Sequence, residues 1–279
     1  MIKRTIYFAL ALCFSIPAFA QKADGTIRSL LNTEDFFNLL VKREGIQKGF
    51  LKFADAKGIV FRPGPVDMRK YYTKNSESEY QISWKPEYAR ISKEGDLAFT
   101  TGPYELVSAQ DTTYGHYLSI WKNDHSKWKL WLDVGITHAK PPTVLKYEYY
   151  DPSNYKYPKL LGPQKIQMRE DIVFNTDILL GKALKLSGSK NFKEFYDPKV
   201  RLYFPEYLPV IGKLKALDFI EKKELNIISN PITAERAISG DLAFTYGDAS
   251  INQENYHYVR VWKLDDDMKW NIILDVYSK

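Results

Sequence analysis

Two aspartates, Asp133 and Asp275, lie in β-rich runs, three residues after Leu130 and Ile272. A carboxylate walled by apolar groups has its pKa raised toward neutrality and can act as a general base. Its plainer use is to tie down neighbouring backbone, such as the glycine turn at Gly95 or Gly240. His116 and His257 precede them, and a neutral imidazole can donate to a substrate oxygen or shuttle a proton. Strand alternation puts His116 with Leu118 and Ile120, and His257 with Val259 and Val261. That face is apolar, so it is either core or pocket lining, and a satisfied core histidine is the simpler reading. Trp84, Tyr104 and Trp131 in the first half, with Tyr203 and Tyr246 in the second, complete the set of ligand-lining candidates. Cross-strand packing explains any one ring; a pocket explains the set. Three readings fit: a ring-lined site for a small apolar or amphipathic molecule, acid–base catalysis by Asp133 with His116 or Tyr104, or a protein interaction module that uses an outer sheet face.

Other chemistries find little support. Asp265-Asp266-Asp267 lacks the spaced ligands and glycine of a calcium loop and reads as a hairpin turn. His125 and His138 have no ligand spacing with each other or with His116. There is no glycine-rich phosphate loop, nucleophile elbow or H-E-x-x-H motif, so neither a metal nor a cofactor is expected.

The elements that must position these residues occur twice. Gly95-Asp96-Leu97-Ala98-Phe99-Thr100-Thr101-Gly102 recurs as Gly240-Asp241-Leu242-Ala243-Phe244-Thr245-Tyr246-Gly247. His116-Tyr117-Leu118-Ser119-Ile120-Trp121-Lys122 recurs as His257-Tyr258-Val259-Arg260-Val261-Trp262-Lys263, and Trp128 and Asp133 as Trp270 and Asp275. A repeat this long means two whole domains, not a solenoid of small units. Each copy opens with amphipathic helix: Phe36, Phe37, Leu40 and Val41 share a face, with Asn32 or Thr33 available as cap. Alternating, β-branched and aromatic runs joined by turns follow. Helices first and a strand meander after is an α+β pattern, with helices on one face of an antiparallel sheet.

The segment from Ile82 to Tyr104 resembles the SnoaL-like, ketosteroid-isomerase-like branch of the nuclear-transport-factor-2-like superfamily, in particular an uncharacterised exported bacterial group. The resemblance rests on Glu44-Gly45, Gly49-Phe50-Leu51, Trp84, Pro86, the Gly95–Tyr104 run, Trp121-Lys122, Trp128 and Asp133. Copy two keeps the later half of the pattern, but Ser229 stands where Trp84 does. The resemblance implies two tandem cones, each a curved sheet around helices with a pocket at its open end. Such pockets serve isomerases, cyclases, dehydratases and plain binding proteins, so fold leaves activity open.

The chain has 279 residues, a net charge of +6 and one cysteine, which excludes an internal disulfide. Lys3-Arg4, the apolar run Ile6–Ile16, Pro17 and Ala18-Phe19-Ala20 read as a signal peptide over 1–20. Its apolar run is too short to span a bilayer. Cys13 follows Leu12, a poor lipoprotein cleavage context. Cleavage removes the cysteine, Lys3 and Arg4 and lowers the charge to +4. The expected protein is periplasmic or secreted, with no remaining transmembrane segment. Its domains are expected at 27–138 and 167–279, joined by a Pro/Tyr-rich linker at 139–166. So small a charge argues against nucleic acid; an envelope surface or acidic glycan would suit a basic patch better. The two copies are expected to pair with each other.

Overall fold

The computed structural model describes residues 24–124, 126–142, 146–152 and 162–279. The segment expected to be a signal peptide and His125 lie outside them. Among the described residues, no helix is long and apolar enough to cross a membrane.

The first half opens with α1 (Ile27–Glu44) and α2 (Ile46–Phe53), followed by β1 (Ala54–Phe61), β2 (Pro65–Asp67) and α3 (Met68–Lys74). The cap of α1 is Thr26, whose hydroxyl accepts from the Ser29 amide, and not Asn32 or Thr33. Leu30 and Ser29 are already buried, so the core-facing stripe begins earlier than the Phe36-Phe37 pair suggests. Strands β3 (Gln81–Trp84), β4 (Tyr88–Ile91), β5 (Leu97–Val107), β6 (Thr112–Asp124), β7 (Lys127–His138) and β8 (Glu148–Tyr150) complete this half. Their order is β2-β1-β7-β6-β5-β4-β8, with β3 also on β5. Strand β8 lies in the Tyr-rich connecting segment and pairs in parallel with β4.

The second half repeats the plan with α4 (Pro163–Ser187), a 3-10 turn (Ser189–Glu194), β9 (Tyr196–Tyr203), β10 (Val210–Ile211) and α5 (Lys213–Lys222). Then come β11 (Ile227–Arg236), β12 (Leu242–Ile251), β13 (Glu254–Leu264) and β14 (Trp270–Ser278). The order β10-β9-β14-β13-β12-β11 matches that of the first sheet, with β11 covering the span of β3 and β4. Both central hairpins carry a bulge at the same place. Trp131 is skipped between the Leu130–Trp121 and Leu132–Ile120 pairs, and Ile273 between Ile272–Trp262 and Leu274–Val261. Bulges bend strands and deepen twist, which is how a sheet curls around a helix. The chain is α+β, with two separate curved sheets.

Three apolar clusters hold it. One joins α1, α2 and α3 to the inner face of the first sheet, through Phe37, Phe50, Tyr72 and Trp121. A second joins α4 and α5 to the inner face of the second sheet, through Leu180, Phe192, Tyr258 and Trp262. The third is shared by both outer faces: Phe99, Leu118, Ile120 and Trp131 meet Leu242, Phe244, Val259 and Val261. Both sheets are therefore buried on both sides.

The repeated Gly-Asp turns face each other at this junction. Asp96 accepts from the Ile238 amide at 2.8 Å, and Asp241 accepts from the Lys93 amide at 3.2 Å. Ser92 and Ser239 each donate to the aspartate of their own turn, at 2.7 and 2.6 Å. Gly95 has φ +73 and Gly25 φ +77, and they pack so closely that a Cβ on Gly95 would lie 2.7 Å from the Gly25 backbone. Both the left-handed backbone and the contact require glycine there.

Candidate functional site

The inner face of the first sheet carries Tyr117, Ser119 and Trp121 from β6, while His116, Leu118 and Ile120 point to the outer face. Asp133 on β7 is paired with Ser119 and shares its inward direction; Ser119 Oγ donates to Asp133 at 2.8 Å. Around them lies a small cavity of about 30 Å³, lined by Phe37, Phe50, Ile82, Trp84, Tyr104 and Tyr117. Trp84 is fixed from behind, its indole nitrogen donating to Glu34 at 2.8 Å and its carbonyl accepting from Asn38 at 2.5 Å. Gly135 and Gly115 leave room for the Tyr104 ring, since a Cβ on either would press against it. The Tyr117 hydroxyl is buried beside Thr100 and has no hydrogen-bond partner of ordinary geometry.

Burial pushes the Asp133 carboxyl up to about 6, with Glu77 adding to the effect, although Arg62 and the Ser119 hydroxyl pull it down. Arg62 is held nearby by the Tyr72 hydroxyl at 3.0 Å and the Phe61 carbonyl at 2.9 Å. Burial also raises Glu34 to about 7, against hydrogen bonds from Thr100, Trp84 and Trp121. Tyr104 is raised by burial to about 12, so its hydroxyl keeps its proton at neutral pH. Chemically, this is a small apolar hollow offering one proton-sharing carboxyl and two phenols.

The inner face of the second sheet is filled. Arg260, at the repeat position of Ser119, occupies the corresponding space with no exposure at all. Its guanidinium donates to Asp177, to Asp275 at 3.2 Å, to Ser229 at 3.1 Å and to Tyr277 at 3.0 Å. Tyr196 donates to Asp275 at 2.8 Å, and Tyr258 to Asp177 at 2.9 Å. The residue changes compensate in volume: Ser229 replaces Trp84, and Tyr277 with Ala249 replaces Gly135 with Tyr104. All three ions of such a cluster must be satisfied for it to be tolerated in a core, and here they are.

Three of the sequence-derived candidates, Trp84, Tyr104 and Asp133, therefore meet at one cavity. The others do not join them. His116 faces the junction, where Nδ1 lies 2.7 Å from His138 Nε2 and Nε2 lies 3.5 Å from Glu87, so it cannot serve Asp133 across the sheet. Trp131 packs edge-on to Phe244, Tyr246 edge-on to Phe61, and Tyr203 accepts from the Thr101 hydroxyl at 3.1 Å, all between the sheets. His257 pairs with Asp248 at 2.9 Å near Phe61. Asp275 is a counter-ion in a packed core, not a pocket base. Neither aspartate braces a glycine turn; Asp96 and Asp241 do that. Sequence reasoning missed Ser119, Tyr117, Glu34 and Arg62. The Ser119/Arg260 mismatch inside an otherwise close repeat was the available signal for which half keeps a cavity.

No family model matches this chain, and no curated protein matches it. Solved structures do. A nuclear-transport-factor-2-like protein of unknown function from Shewanella oneidensis is 11% identical, with TM-score 0.33, covering 38% of this chain and 94% of that one. Nuclear transport factor 2 from Cryptosporidium parvum is 13% identical, with TM-score 0.33, covering 43% and 97%. A candidate ketosteroid isomerase from Parabacteroides distasonis is 11% identical, with TM-score 0.33, covering 40% and 86%.

Proposed function

We propose that this chain is an exported, tandem pair of SnoaL-like domains that binds a small amphipathic molecule in its first cone. The supporting observation is the contrast between the cones. The second is plugged by Arg260 and its two aspartates, whereas the first keeps a ring-lined hollow with Asp133 and the unbonded Tyr117 hydroxyl. An orphaned buried hydroxyl costs about 1–3 kcal/mol, which a ligand's polar group would recover. The hollow holds about one water as it stands. A larger guest enters by displacing Trp84 and Ile82 on β3, which among the described residues pairs with β5 alone. Export to the periplasm or beyond rests on residues 1–20, and the domain limits on the repeat at 27–138 and 167–279.

The test is titration of the full chain with p-cresol and 2-naphthol, neutral molecules with one ring face and one hydroxyl. Binding is expected, weakened about tenfold or more by Asp133→Asn or Tyr117→Phe, consistent with loss of one buried hydrogen bond. Binding unaffected by both substitutions would place it elsewhere and end this reading. The raised Asp133 carboxyl favours a second reading, a proton-transfer enzyme with Asp133 as base and Tyr104 as donor to a developing oxyanion. Deuterium exchange at the α-carbon of small cyclic ketones, abolished by Asp133→Asn, is its signature.

A further inference from the structure

The junction between the sheets has two ends that the repeat makes equivalent, and they are built differently. At one end Trp131, the bulge residue of β7, fills the space against Phe244. Lys122 lies over its ring at 4.6 Å and forms an ion pair with Glu235. At the other end the equivalent bulge residue is Ile273, and the position matching Glu235 is Arg90. A smaller residue opens space and an inverted charge leaves it without its acid. A cleft of about 680 Å³ results, lined by Ile273, Arg90 and Lys263, the counterpart of Lys122.

The charge around this cleft is unbalanced: six cations line it against three lining carboxylates, Glu148, Asp197 and Asp265, and a fourth, Glu87, reaches Arg201 from outside the lining. Arg201 is held by Glu87 at 3.0 Å, Lys263 by Asp197 at 2.6 Å, and Lys146 by Glu148 at 3.2 Å. Arg90, Lys199 and Lys213 have no carboxylate partner among the described residues, and the buried Nε of Arg90 has no hydrogen-bond partner. Arg90 is nonetheless fixed, its guanidinium lying 4.6 Å from the Tyr150 ring centroid, as Arg201 lies 4.4 Å from that of Tyr88. The N-terminus of α5 opens here through Gly212 and Lys213 with no side-chain cap, adding its own positive end.

We infer that this end of the junction, where Ile273 and Arg90 stand in place of Trp131 and Glu235, is a binding cleft for a small polyanion carrying phosphate or carboxylate groups. Its volume is that of a small-molecule site. Guanidinium groups pre-set on tyrosine faces recognise oxyanions by paired hydrogen bonds, with Lys199 and Lys213 supplying further charge. The site is independent of the Asp133 hollow.

The test is calorimetric titration of the full chain with pyrophosphate, citrate and digalacturonate at about 50 mM salt, where charge is only partly screened. At least one should bind, and the pattern separates free oxyanions from an acidic glycan. Arg90→Glu, which restores the acid found at the other end, should weaken binding about tenfold or more, and Lys213→Gln severalfold. Ile273→Trp, which recreates the filled end, should abolish it. Lys122→Gln at the filled end should leave it unchanged. Should Ile273→Trp fail to fold, the two charge variants carry the test, with melting temperature as the check on integrity. No binding of any of the three polyanions, or binding unchanged by Arg90→Glu and Lys213→Gln, overturns the inference.

Discussion

Replacing Asp133 by Asn keeps the shape of the hollow, since Ser119 Oγ can donate to the amide oxygen as it does to the carboxylate. What changes is the charge. The folded pKa of about 6 stands above the ordinary 3.8. Folding therefore takes up a proton, and the stability this contributes is complete below about pH 3.8 and lost as pH rises through about 6. At about 1.4 kcal/mol per unit, the loss reaches about 3 kcal/mol. Urea unfolding followed by tryptophan fluorescence, across pH 4 to 8, measures it for both proteins. The variant's stability relative to the parent should climb by about 3 kcal/mol over that interval, mostly between about pH 4 and 6.5. Glu34 stays in both proteins and, with its carboxyl near 7, leaves a shared slope at higher pH. A difference curve flat to within about 1 kcal/mol would show that Asp133 is not desolvated as drawn, and the hollow would lose its chemistry. A curve falling with pH would mean that Arg62 pairs with Asp133 strongly enough to outweigh burial.

The plugged cone gives the opposite expectation: Arg260→Met should cost about 3–5 kcal/mol by leaving Asp177 and Asp275 uncompensated, measured by urea unfolding. Adding Asp177→Asn and Asp275→Asn to it should recover most of that loss. Asp96→Ala and Asp241→Ala should each cost about 1–2 kcal/mol and raise amide exchange at Ile238 and Lys93 respectively, each in the opposite half. Gly181→Ala should lower the melting temperature measurably, because its Cβ would collide with the Ser229 carbonyl where α4 crosses β11.

Much of the architecture was legible in the sequence because the repeat fixed which strands correspond, and the Gly-Asp turns and Trp-Lys strand ends marked their limits. Facing was not legible. His116, Leu118 and Ile120 alternate with Tyr117, Ser119 and Trp121, and both sets are buried because helices cover one face and the other sheet covers the second. Periodicity divides a strand into two faces but does not say which apolar face borders a hollow. The bulges at Trp131 and Ile273 further shift the alternation just before Asp133 and Asp275, so rings and carboxylates two residues apart end on opposite sides of the sheet. Helix α4 shows why half the second domain resisted reading: its buried stripe includes Asp177, a charge acceptable only because Arg260, 83 residues away, meets it.

The mutual bonding of the two Gly-Asp turns has one more consequence. In a homodimer of single domains every substitution appears twice, once on each side of the axis, so a residue that closes one end of the contact closes both. Here the partners are successive stretches of one polypeptide. Each sees the other at an effective concentration of order millimolar whatever the dilution, and each side can be altered once. Trp131 and Glu235 facing one way, with Ile273 and Arg90 facing the other, is an arrangement that a homodimer of identical domains cannot adopt.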